Sequence, residues 1–185
     1  MTAWELPTSL EVGGTDYPIN TDYRAVLDIL KYYNDPNYDA DEKQMICIGI
    51  LYGGLQRIPP SLWGEALKKA FEFIDMGITD DSRRPKTMDW EQDAPLIIPA
   101  VNKVLGEEVR AKKYTHWWTF LGAYMGIGES LFSSVLNIRM KKIKKKKLEK
   151  HEQEFYRENK NLVDLKKKYS EEEIEEQKRL IAEFS

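Results

Sequence analysis

The residues that could do chemistry are few, and the two histidines come first. His151 stands in "KHEQEF", which begins like the His-Glu-x-x-His pattern that holds zinc on a helix but lacks the second histidine. His116, in "YTHWW", reads as a half-buried histidine satisfied by hydrogen bonds, because the sequence places no third group beside it. Glu91 and Asp93 in "DWEQDA" could form a carboxylate pair for acid-base work. Residues two apart on a helix do not face each other, however, and acids in a first turn suit the helix dipole. The glycines of "LGAYMGIGES" lack the Gly-Lys-Ser/Thr ending of a phosphate loop and the spacing of a dinucleotide fingerprint. Ser9, Ser61, Ser133 and Ser134 lie in no nucleophile elbow. Cys47, the single cysteine, allows no internal disulfide and no cysteine-built zinc site, and in "QMICIGILYG" it reads as a small core hydrophobe. These residue types point to a protein that is not an enzyme and that needs no cofactor and no metal.

The strongest signal is charge. A formal net charge of -3 conceals a division along the chain. Residues 1–110 hold 11 basic against 19 acidic side chains, residues 111–150 hold 10 against 2, and residues 151–185 hold 7 against 10. The positive part culminates in "NIRMKKIKKKKLEK", Asn137 to Lys150. As a nucleic-acid site this run has lysine almost alone, without aromatics for stacking or arginine forks for base edges, and the acidic remainder would repel phosphate. As a membrane foot it carries too few apolar residues to insert. On a helix, Lys141 with Lys145 and Lys142 with Lys146 are like-charge pairs, only partly offset by Lys145 with Glu149 and Lys150 with Glu154. An acidic partner would relieve that repulsion, and residues 1–110 supply one in the same molecule or the next. Arg139, Lys141, Lys142, Lys144, Lys145, Lys146 and Lys147 are therefore candidate partner-binding residues. Trp117 and Trp118 join them. Neighbouring tryptophans on a helix lie about 100° apart, so one can face the core while the other falls at its edge; the alternative is that both wall the core.

Several elements must position these groups. "TSLEVGGTDYPIN" predicts a hairpin, with Leu10 and Val12 leading through Gly13-Gly14 to Tyr17 and Ile19. Thr21 or Asp22 caps a helix carrying Tyr23, Val26, Leu27, Leu30 and Tyr33. "KQMICIGILYG" is apolar nearly all round, as in a buried helix ending at Gly53-Gly54. The next helix follows Pro59 and Pro60, with a stripe of Leu62, Trp63, Ala66, Leu67, Ala70, Phe71 and Ile74 ending at Gly77. "ITDDSRRPKT" predicts an exposed loop. In "MDWEQDAPLIIPAVNKVLG", Pro95 suits a first turn, whereas Pro99 costs about 3 kcal/mol in a helix interior and predicts a kink or a late start. "THWWTFLGAYMG" is a helix ended near Gly126 and Gly128. From Glu129 to Tyr169 there is neither proline nor glycine, which predicts one long helix, first packed through Leu131, Phe132, Val135, Leu136 and Ile138 and then leaving the body. Leu148, Phe155, Leu162 and Tyr169 continue along it as a thin seam. Ser170 with Glu173 forms a capping box for a last helix bearing Ile174, Ile181 and Phe184. The fold class is mainly α: a compact helical domain with a short N-terminal β-hairpin and a long projecting C-terminal helix. Residues 1–138 form the body and 139–185 a charged extension. No basic and apolar leader opens the sequence, and its most apolar window, "WWTFLGAYMGIG", is too short to span a bilayer.

"LPTSLEVGGTDYPINTDYR", "MDWEQDA", "THWWTF", "IRMKK" and "FYRENK", in this order and spacing, resemble the bacteriophage gene-product-fifteen family of long-tailed phages and prophages of Gram-positive bacteria. The most specific piece is His116-Trp117-Trp118 following Asp89-Trp90-Glu91-Gln92-Asp93. The resemblance implies a tail assembly chaperone in the host cytoplasm, coating the tape-measure protein until tube subunits replace it. Self-association and contacts with other tail assembly proteins are expected, and no catalytic residues come with the family. The alternatives are a structural tail or head-completion protein retained in the virion, or a nucleic-acid binder using Lys141 to Lys150.

Overall fold

The computed structural model describes residues 4–78 and 85–183, and its architecture is mainly α. The expected loop at "ITDDSRRPKT" lies mostly outside the described residues. The chain divides into two compact units, Met1–Gly77 with Lys167–Ser185, and Ile78–Lys166. The division therefore does not fall at 138/139, a point that lies inside a helix spanning Leu131–Ile143.

The first unit opens with the hairpin, β1 (Ser9–Val12) paired antiparallel with β2 (Thr15–Pro18) so that Val12 faces Thr15 and Leu10 faces Tyr17. Gly13 (φ 57°) and Gly14 (φ 74°) are both left-handed, as a two-residue turn of matching twist requires. Leu10 and Val12 turn inward, with β1 against α3 (Trp63–Ile74), and α1 (Tyr23–Tyr33) and α2 (Ala40–Leu51) complete the unit's helical layer. Asp22 caps α1 through the Arg24 N–H at 2.9 Å, and Asp39 with Glu42 forms a capping box on α2. Val26, Ile29, Cys47, Ile48, Leu51, Ala70 and Phe73 fill the interior. Two helices differ from expectation. α2 buries only Cys47, Ile48 and Leu51, because its first turn is polar and Met45 faces solvent. On α3, Phe73 is the buried phenylalanine, while Phe71 is partly exposed and sits edge-on to Tyr33. The last helix, α9 (Glu171–Glu183), belongs to this unit and begins with the expected box, Ser170 Oγ accepting from the Glu173 N–H and Glu173 Oε2 from the Ser170 N–H.

The second unit contains α4 (Ala94–Leu105), α5 (Trp117–Met125), α6 (Leu131–Ile143), α7 (Lys150–Glu158) and α8 (Lys160–Val163). α4 starts at Ala94 despite Pro99, so the late start is not found. Pro95 and Pro99 are four apart and both exposed, which leaves the carbonyl that Pro99 cannot satisfy on the solvent side.

The long helix from Glu129 to Tyr169 does not exist. α6 stops at Ile143, and Lys145 adopts φ 52°, a left-handed conformation. The Lys146 N–H then donates to the Lys141 carbonyl at 2.8 Å and the Lys145 N–H to the Lys142 carbonyl at 3.0 Å. This is a Schellman ending with lysine where glycine is usual. Repulsion among the lysines weakens helix propagation here, and burial rewards the reversal. Leu148, Phe155, Tyr156 and Leu162 pack on Val135, Ile138 and Val163. The seam residues thus fold back onto α6 and form no projecting coil.

Candidate functional site

Arg139 was expected on a contact surface but lies in the interior of the second unit, with its side chain 4% exposed. Its guanidinium Nη1 and Nη2 clamp the Asp93 carboxylate at 2.7 and 2.8 Å. The remaining hydrogens go to the Thr87 and Leu162 carbonyls, both at 3.0 Å, and from Nε to the Val163 carbonyl. All five donors of the fork are used, so the charge is paired and fully hydrogen-bonded, which is what makes its burial tolerable.

The other half of the latch is the "DWEQDA" stretch. Asp93 accepts the Asp89 N–H at 2.9 Å as well as Arg139. Asp89 Oδ1 accepts the N–H groups of Glu91 and Gln92, each at 3.0 Å, and its Oδ2 pairs with Lys86 at 3.2 Å. Gln92 reaches the segment after α8, donating to the Asp164 carbonyl at 2.8 Å and accepting from the Lys166 N–H at 2.9 Å. Trp90 completes the group by packing on Trp117, Phe120 and Tyr124. These acids therefore build structure. Sequence reading missed the Asp93–Arg139 pair, although one signal was present: Phe132, Val135 and Arg139 follow helical spacing, which puts the lone arginine on the core stripe of α6.

Trp117 is 1% exposed and stacks on Phe120 with ring centroids 5.9 Å apart, so it is a core residue and no contact surface. Trp118 is half-buried, edge-on to His116 at 6.3 Å. His116 is buried and caps α5, its Nδ1 accepting the Trp118 N–H at 3.0 Å.

The lysines divide sharply. Lys141 Nζ bonds both Glu152 oxygens at 2.7 and 2.8 Å, and Glu152 also accepts from Asn137 and from the Glu149 N–H. The Lys141 bond holds the Glu152 carboxyl below its usual range, against the opposing effect of burial. Lys142 bonds Asp164 and the Tyr156 hydroxyl, and its ammonium lies 3.8 Å from the Tyr156 ring centroid. Burial alone would raise the Asp164 carboxyl, but the Lys142 and Tyr156 bonds overcome it and hold it low. Lys144, Lys145, Lys146 and Lys147 are exposed on the turn between α6 and α7.

A protein-family comparison decides what this pattern belongs to: the Bacteriophage Gp15 protein family matches residues 3–165. The chain belongs to that family. No curated protein and no solved structure matches it. The matched span of this Gp15-family protein includes the whole Asp93–Arg139 latch and the lysine turn, and it ends before α9. Among the described residues, no group of three or more His, Cys, Asp and Glu side chains is placed to hold a metal, and no helix is long and apolar enough to cross a membrane. Burial pushes the Cys47 thiol up to about 12, which keeps it protonated at neutral pH.

Proposed function

We propose that this Gp15-family protein is a tail assembly chaperone that binds and coats the tape-measure protein in the host cytoplasm through a self-associating helical body, and that it works by binding and not by catalysis. The observation carrying this reading is the division of labour in the lysine run. Arg139, Lys141 and Lys142 are committed to internal pairs, whereas Lys144 to Lys147 are carried exposed on a turn that those pairs brace. Charge concentrated on a braced turn gives contacts that form quickly, weaken with salt and can be displaced, as a coat that later yields to tube subunits requires. Trp118, half-buried at the start of α5, remains the candidate aromatic contact for the client.

Co-expression with the tape-measure protein and affinity capture tests the reading. Wild-type protein is expected to hold the client in solution. The variant with Lys144, Lys145, Lys146 and Lys147 all replaced by glutamine is expected to capture roughly tenfold less, from the loss of several exposed charge contacts. Equal capture by both proteins would remove the lysine turn from the mechanism.

A further inference from the structure

α9 is exposed along its described length, from Glu171 to Ala182. A helix of 13 residues gains little from propensity alone and ordinarily owes its stability to a packed face. It has such a face to offer: Ile174 and Ile181, 41% and 67% exposed, stand seven residues apart and share one side. The helix carries six glutamates against Lys178 and Arg179. Its start is held by Ser170 and Glu173 and by Asn37 Oδ1, which accepts the Glu171 N–H at 2.8 Å.

The second unit carries a complementary surface. Between α6 and α7 runs a groove of about 320 Å³ lined by Leu131, Ser134, Ile138, His151 and Phe155, with Leu131 about half exposed at its mouth. Ile138, 2% exposed, lies at the floor of this groove, so Leu131 and the half-buried Phe155 are the apolar groups it presents. The turn bearing Lys144 to Lys147 joins the two helices that form the groove, and Lys150 opens α7.

We propose that α9 of one molecule lies in the α6–α7 groove of a second copy, with Ile174 and Ile181 against Leu131 and Phe155, and its glutamates against Lys144 to Lys147 and Lys150. The contact is helix-in-groove recognition with charge setting the partner. Each copy offers one helix and one groove, so the contact is heterologous and repeats from copy to copy. The groove lies within the segment that matches the family, whereas α9 lies beyond it. The inference rests on the self-associating part of the proposed function and names the surfaces that would carry it.

Sedimentation velocity on the full chain, over a concentration series at low and high salt, provides the test. One variant carries Glu172, Glu175 and Glu176 changed to lysine, which spares the capping residue Glu173. A second carries Lys144 to Lys147 changed to glutamate, and a third combines both sets. Wild type is expected to self-associate with concentration and to dissociate as salt rises. Each single-set variant should associate at least about tenfold more weakly, while the combined variant, and an equimolar mixture of the first two, should recover association. Circular dichroism confirms that each variant is folded. A wild type that stays monomeric throughout, single-set variants that associate like wild type, or absence of recovery in both the combined variant and the mixture would each overturn the proposal. Capture of the tape-measure protein by the wild type separates the two ideas: client binding without self-association defeats this inference alone, whereas self-association without client binding defeats the chaperone reading alone.

Discussion

Arg139 and the two tryptophans carry the residue-scale argument, because neighbours that look alike in sequence have different fates. Replacing Trp117 with alanine should cost about 3–5 kcal/mol, since a fully buried stacked ring is lost. Replacing half-buried Trp118 should cost much less, and chemical denaturation of the two variants will show the contrast directly. Arg139→Met should cost about 3–5 kcal/mol by stranding the buried Asp93 carboxylate, whereas adding Asp93→Leu to it should recover much of the loss, because an apolar pair carries no uncompensated charge. Recovery absent in that double variant would mean that the hydrogen bonds to the Thr87, Leu162 and Val163 carbonyls matter more than the charge pair. Arg139 was read from sequence as part of a basic surface because composition cannot show that a charged side chain turns inward to an acid 46 residues away.

At the scale of elements, the break after α6 is the decisive difference from the sequence reading. The hairpin, the capping of α1 and α9 and the end of α5 were legible because glycines, capping residues and apolar spacing are local signals. The turn at Lys145 was not, because it uses a left-handed lysine in a stretch with no glycine or proline, and its stabilisation comes from Leu148, Phe155 and Leu162 returning to α6. Lys145→Gly should therefore stabilise the protein by about 0.5–1 kcal/mol by relieving the left-handed strain, a gain that a denaturant midpoint would record. Acid provides a second test of this region. Glu152 and Asp164 have folded-state carboxyls held below their ordinary ranges, so their contribution is present above those ranges and lost as pH falls through the lowered values. Thermal melts should show unit Ile78–Lys166 losing stability from about pH 4 downward, and Glu152→Gln should flatten that loss. An unchanged acid slope in Glu152→Gln would show that its pair with Lys141 is not the source.

At the scale of the whole molecule, this Gp15-family protein commits Asp93, Arg139, Lys141 and Lys142 to internal pairs, and under the proposed function the exposed lysine turn and the acidic α9 are left to meet partners. Fold class was visible in the sequence because periodicity reports helices, but the division into two units was not: the polar stretch after Gly77 reads as an ordinary loop, and nothing local shows that Lys167–Ser185 returns to the first unit. Partner choice is a property of surfaces, and the tape-measure client is a proposal that follows from the family resemblance. Co-purification of this protein with the tape-measure protein at low salt, followed by measurement of the mass of the complex, tests the proposed chaperone role. A soluble complex with several copies per client chain, dissociated by high salt, is the expected result. A protein that ignores the client and instead shifts DNA or RNA through Lys144 to Lys147, or that is found built into purified virions, would contradict it.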